Sequence, residues 1–222
     1  MHLPDHVALT ASGHHGDELT RLCRLQGDWL HAIGHDIDEL YPAMLDAADC
    51  FQASVFDSLH GFYRSALSNL RSILDIMAAG ALGNIRPSDE VYLRWKAGHS
   101  GASLNFPNCR SRLSRASKDA IHKKFYKQSG WVESLYDELC SFVHARPDGT
   151  DFSFWHSNGP IYVERGFQIA YVFQLTTYAA SYILAKTARP QLSVPGGSRF
   201  LCDIYREPLR EERHHERLSR NV

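Results

Sequence analysis

Between Phe51 and Leu82 apolar side chains return every three or four positions, at Val55, Leu59, Phe62, Ala66, Leu70, Ile73, Leu74, Met77 and Leu82, and no proline interrupts the run. A helix with 3.6 residues per turn gathers such positions into one stripe. The spacing therefore predicts a helix of about 30 residues, about 45 Å long at 1.5 Å per residue. Gly80 and Gly83 supply its stop. A helix of that length buries its stripe only against a partner of similar length. The chain is thus read as all-α, a bundle of long helices.

The rest of the chain fits that reading. Asp17 is placed to cap a helix that carries Leu19, Leu22, Leu25, Trp29, Leu30 and Ile33 on one face. Gly34 breaks or bends it, and the stripe resumes through Ile37, Leu40, Met44, Leu45 and Ala48. Pro87, Gly98, Gly101 and Pro107 punctuate residues 84–117 into loops and short helices, one of which starts at Ser88-Asp89-Glu90. A helix is expected to begin near Ser117, and another to span Trp131 to Ala145 with Leu135, Leu139, Phe142 and Val143 on one face. Asn158-Gly159 lies between the aromatic and β-branched runs Phe152–His156 and Ile161–Glu164, which reads as a small β-hairpin. A last core helix runs from Gly166 to Ala188 and ends before Pro190. Residues 1–16 read as a flexible leader, 17–190 as one bundle domain, and 191–222 as a charged tail suited to solvent or a partner.

Composition narrows the class. A hydrophobic fraction of 44% with 22% charged residues is globular rather than disordered chemistry. The most apolar stretch, Ile169 to Leu184, is interrupted by Gln174, Thr176, Thr177 and Ser181, so no membrane span is expected. Residues 1–16 lack a cationic segment followed by an apolar one, so a signal peptide is not expected either. The five cysteines (Cys23, Cys50, Cys109, Cys140 and Cys202) are odd in number, scattered, and form no CxxC pair. They point to reduced thiols in a cytoplasmic protein rather than to disulfides or a zinc ribbon.

The net charge of −1 hides an uneven distribution. Residues 1–90 hold 5 Lys/Arg against 13 Asp/Glu, whereas residues 91–127 hold 9 against 1. That basic island contains Arg94, Lys96, Arg110, Arg112, Arg115, Lys123, Lys124 and Lys127, interleaved with Trp95, Phe125 and Tyr126. Cations among aromatic rings suit RNA, because they neutralise phosphates while the rings stack on bases. The alternative is that the island docks against the acidic N-terminal region, within the chain or across a dimer.

Two groups of residues bear on chemistry. His31 and His35 are four apart and could share a helix face as metal ligands, but no Glu-x-x-His partner follows, so no metal is expected. Arg71 and Asp75 are also four apart, beside the stripe in LRSILD. Tyr136, Cys140 and His144 fall on one side of the later helix, in LYDELCSFVH. Joined between two helices, Arg71, Asp75, Tyr136 and His144 would form either a structural network or a site, since unpaired buried charge is costly.

The order of leader helix, long helix, LRSxLD, LYxxLCSFVH and a hairpin followed by a final helix resembles the HEPN-like bundles of prokaryotes over about residues 50–188. The resemblance implies an α-helical, often dimeric domain. It also implies a metal-independent endoribonuclease or RNA-binding role in a defence or toxin–antitoxin system, without a cofactor, and with an antitoxin or other protein as partner. In such enzymes the ribose 2′-OH attacks the phosphate, a His moves the proton and an Arg stabilises the pentavalent phosphorane. Here His144 and Arg71 would take those roles, with Asp75 and Tyr136 beside them and Arg146 holding a phosphate. The family signature, an Arg and a His separated by four to six intervening residues, does not precede His144. Arg24/His31, Arg94/His99, Arg115/His122 and Arg210/His215 fit the spacing, about what chance supplies. Of these, Arg115 and His122 lie in the basic island and form the alternative pair. A second function follows from the missing signature: a non-catalytic helical module that dimerises and regulates in a stress or defence system.

Overall fold

The computed structural model describes residues 4–34, 37–101, 103–117, 125–128, 130–143 and 160–192. Eight α-helices occupy them: α1 (Pro4–His14), α2 (Gly16–Ile33), α3 (Leu40–Leu59), α4 (Tyr63–Ile85), α5 (Glu90–Lys96), α6 (Phe106–Ala116), α7 (Trp131–Val143) and α8 (Glu164–Ala188). None of the described residues is in a strand, and none of these helices is long and apolar enough to cross a membrane. The expected all-α bundle is the architecture observed.

The expected 30-residue helix is two helices. It breaks at His60-Gly61-Phe62, and α3 and α4 fold back into an antiparallel hairpin. Gly61 sits at φ +80, where a side chain is strained, and a Cβ there would lie 2.4 Å from the Ile161 carbonyl oxygen. The apolar period runs through the turn in phase, which conceals it from a periodicity reading. Gly80 and Gly83 do not stop α4, which continues to Ile85. They are contact points: a Cβ at Gly80 would meet Ala43 and one at Gly83 would meet the Tyr92 ring, both at 2.3 Å.

α4 is the hub. Thirteen of its residues are buried, among them Leu67, Leu70, Ile73, Leu74 and Met77, because α3, α6, α7 and α8 all pack against it. α8 runs parallel to α4. Tyr63 meets Gly166 at one end of the pair, and at the other Asn84 Nδ2 donates to the Ala188 carbonyl. α2 lies antiparallel to α3, with Trp29 Nε1 donating to the Met44 carbonyl at 3.0 Å and Gln26 Nε2 to that of Ala48 at 3.1 Å. Trp29, Phe51 and Tyr178 fill the space between α2, α3 and α8, the last two rings stacked face to face.

Further differences from the sequence reading are local. The expected leader contains α1, whose Val7 and Ala11 are buried, although its outer face is polar and so carries little periodic signal. The proposed hairpin turn and first strand, residues 152–159, lie outside the described residues. Its second strand is not one: Pro160–Val163 is an extended lead into α8, with the Val163 amide donating to the Tyr63 hydroxyl. α6 ends at Ala116, with Ser117 as its C-cap where a helix was expected to start, and residues 118–124 lie outside the described set. The charged tail lies outside it from residue 193 onward.

At the far end from Gly61, Asp38 closes the bundle. Its Oδ1 accepts the backbone amides of Leu40 and Tyr41 at the start of α3. Both its oxygens also accept from the buried Arg189 guanidinium, which donates in addition to the Ile33 carbonyl. One ion pair thus ties the ends of α2 and α8 to the beginning of α3.

Candidate functional site

The seam between α4 and α7 gathers three of the four residues expected there. The helices are antiparallel, so Arg71 faces Tyr136 and Arg64 reaches the end of α7. Arg71 Nη2 donates to the Tyr136 hydroxyl at 3.1 Å, and its guanidinium carbon lies 5.5 Å from the centre of the Tyr136 ring. Arg71 Nη2 is also 3.4 Å from Asp75 Oδ2, one helical turn along α4. Arg64 Nη2 donates to the Val143 carbonyl at 2.9 Å and so occupies an orphan acceptor at the α7 C-terminus. His144, the next residue, lies outside the described residues, as do Arg146, His122, Lys123 and Lys124.

Asp75 has a second duty that the sequence did not reveal. Its Oδ1 accepts the backbone amide of Phe106 at 2.8 Å, at the first position of α6, where helix amides otherwise lack partners. Asn105 caps the same turn by accepting from the Asn108 amide. Phe106 is fully buried and tilts against the Tyr136 ring, so one carboxylate holds α6 against both sides of the seam.

Electrostatics fix the protonation states of the cluster. Burial opposes the charge on Arg71, but the Cys140 thiol, the Tyr136 hydroxyl and the Asp75 carboxylate favour it, and its pKa ends above the ordinary arginine value. Burial pushes the Tyr136 phenol up, and the Asp75 charge pushes it further, so it remains protonated at neutral pH. Arg71 is 28% exposed and Asp75 21%, so the guanidinium reaches solvent although its Nε–H is shielded and has no hydrogen-bond partner. Such a cluster can hold an oxyanion. Neither a permanently charged guanidinium nor a neutral phenol with a raised pKa serves as a general base near neutrality.

The basic island divides into paired and exposed cations. Lys96 Nζ contacts both oxygens of Glu39 at 2.8 and 2.7 Å, and the Tyr92 hydroxyl donates to the same carboxylate at 2.6 Å. Arg112 Nη1 donates to both oxygens of Asp89, whose Oδ1 also caps α5 through the Val91 and Tyr92 amides. Arg110 pairs with Glu133 at 2.5 Å and reaches the Lys127 carbonyl at 3.4 Å. Lys96 and Arg112 therefore dock the island on acids of the N-terminal ninety residues, the alternative that the charge distribution had left open. Arg94, Arg115 and Lys127 are exposed, and among the described residues Arg115 Nε donates within its own helix, to the Ser111 carbonyl. Glu39 and Glu133 belong to no motif, and although Ser88-Asp89-Glu90 marked a helix start, nothing in the spacing showed that Asp89 would pair with Arg112.

Among the described residues no three of His, Cys, Asp or Glu converge as metal ligands. His31 donates through Nδ1 to the Gly27 carbonyl at 2.8 Å, and His35 lies outside the described residues. No protein-family model, no curated protein and no solved structure matches this chain.

Proposed function

We propose that this chain is a HEPN-like helical protein directed at RNA, acting in a defence or stress system, with the α4–α7 seam as the place where a phosphate is held. The observation that carries this reading is Arg71: a permanently charged guanidinium, oriented by the Tyr136 hydroxyl and ring yet partly open to solvent. Fixed orientation matters because a guanidinium set in place before the substrate arrives loses less entropy on binding an oxyanion. In the HEPN-like reading His144, one residue past α7, moves the proton from the ribose 2′-OH. Cleavage then depends on His144 and binding on Arg71, while Arg94, Arg115 and Lys127 supply the remaining exposed cations.

A second reading has its own support. Lys96, Arg110 and Arg112 are held in ion pairs within the chain, and Asp75 is engaged as a brace for α6. A helical regulatory or dimerisation module that does not touch RNA needs this bracing and no more.

The full-length protein incubated with total RNA and with tRNA, with and without EDTA, separates the two. Cutting that persists in EDTA, and that His144→Ala abolishes while the circular dichroism spectrum is preserved, supports a metal-independent ribonuclease. Salt-dependent binding without cutting, weakened in Arg71→Lys, supports an RNA-binding relative. Neither cutting nor binding leaves the regulatory module.

A further inference from the structure

One end of the bundle is closed by polar contacts but carries uncovered apolar side chains. Ile37 is 87% exposed, Leu93 47% and Trp95 38%. They are neighbours through Glu39: Ile37 stands two residues before it, while Tyr92 and Lys96 of α5 both bind its carboxylate. Large aliphatic and indole surfaces exposed near Glu39 at one end offer a place for an apolar segment to dock. Two exposed arginines border it, Arg86 at the end of α4 and Arg94 on α5, and neither is in an ion pair among the described residues.

The chain itself leads there. Arg189 holds Asp38, the residue after Ile37, and Lys186 Nζ donates to the carbonyl of the buried Leu192. Residue 192 is the last one described, so the remaining 30 residues, 193–222, start beside the patch. Seven residues separate Leu192 from Phe200, enough to span up to about 26 Å in extended form. Beyond them the sequence offers what the patch lacks. Phe200, Leu201, Ile204 and Tyr205 recur at the spacing that one helix face collects, and Leu209 follows just beyond Pro208. Residues 200–212 carry four acids (Asp203, Glu207, Glu211 and Glu212) against two arginines.

We propose that residues 200–212 of this chain dock on its own Ile37–Leu93–Trp95 end, apolar side chains inward and acids toward Arg86 and Arg94. Tethering favours this occupant over any molecule in solution. A short linker presents the segment at an effective concentration in the millimolar range, so a small patch is enough. Nothing in this assignment depends on whether the protein acts on RNA.

Cys202 lies within the proposed segment and makes the test direct. Ile37→Cys and, separately, Leu93→Cys are made in the full chain. Phe56→Cys, 59% exposed at the opposite end of α3, serves as the reference. Each variant is oxidised mildly and its disulfides are mapped by peptide mass. Ile37 is so exposed that its replacement leaves the fold intact even if Leu93→Cys does not. The expected result is a disulfide between Cys202 and the new thiol within one chain, about tenfold more abundant at position 37 or 93 than at 56. Leu201→Glu with Ile204→Glu should bring the yield down to that of the reference. Equal yields at both ends, no effect of the two glutamates, or disulfides formed only between two chains, which would place a second copy on the patch, would each overturn the proposal.

Discussion

Asp75 makes the most consequential prediction, because one carboxylate joins the expected site to the packing of α6. In Asp75→Ala the Phe106 amide loses its acceptor at a buried helix start, and an orphaned buried N–H costs about 1–3 kcal/mol. The Arg71–Asp75 pair disappears as well. At 3.4 Å, with the side chains 28% and 21% exposed, solvent screening limits its contribution to at most about 1 kcal/mol. The sum is about 1–4 kcal/mol, and in a domain of this size each kcal/mol moves the melting temperature by about 2–4 °C. Urea unfolding followed by circular dichroism should therefore show Asp75→Ala destabilised by that amount. Asp75→Asn retains an acceptor oxygen for Phe106 and should lose only the ion pair, about 1 kcal/mol or less. If the two variants lose equal stability, the amide acceptor role is wrong. If Asp75→Ala stays within about 0.5 kcal/mol of the parent, a range typical of surface changes, the brace does not exist.

Two further outcomes follow from the ends of the bundle. Burial acts to raise the Asp38 carboxyl, but Arg189 and the Leu40 and Tyr41 amides outweigh it and hold it below the ordinary value of 3.8. A depressed folded-state pKa contributes stability above the unfolded value and loses it as the pH falls through the folded one. Urea midpoints should therefore drop on acidification below about pH 4, and Asp38→Asn should be less stable at neutral pH with a shallower acid limb; an identical limb would remove Asp38 from the acid response. At the other end Gly61→Ala meets both a φ of +80 and the Ile161 carbonyl, and should cost at least about 2 kcal/mol in denaturant unfolding. Parent-like stability would mean that the turn yields.

Where periodicity and capping chemistry speak locally, the sequence was legible. α7 and α8 begin and end within about two residues of the expected positions, the usual scatter of helix ends, and Asp89 caps α5 as Ser88-Asp89-Glu90 implied. Periodicity was blind to the α3–α4 turn because Leu59, Phe62 and Ala66 keep their phase across Gly61. Positive φ at a glycine is a backbone property that an apolar count does not register. Gly80 and Gly83 were misread for the opposite reason: in a hub helix a missing Cβ serves close packing as readily as termination. At the seam, the four-residue spacing of Arg71 and Asp75 and the facing Tyr136 were legible. The Phe106 amide on Asp75 was not, since it depends on how a loop returns about thirty residues later.

The fate of the basic island follows from the same distinction between local pattern and tertiary contact. A block of 9 cations against 1 anion reads as an RNA surface only while each charge is counted alone. Folding sets Lys96 on Glu39, Arg112 on Asp89 and Arg110 on Glu133, and each pair fastens a short element that has little apolar surface of its own. α5 has seven residues and buries only Tyr92, so Glu39 and Asp89 hold it where hydrophobic burial is too small to do so. The acids of the first ninety residues and the cations after them are therefore halves of one packing device. Among the described residues of the island, the cations left for a polyanion are fewer than the composition suggests: Arg94, Arg115 and Lys127 on the surface, joined by Arg71 in the seam. Of these Arg71 alone has its direction set by a partner in another helix. A phosphate bound along α4 and α7 would thus be gripped at one oriented point rather than across a broad face, and its affinity should fall with a shallow salt slope, of order one to four charges.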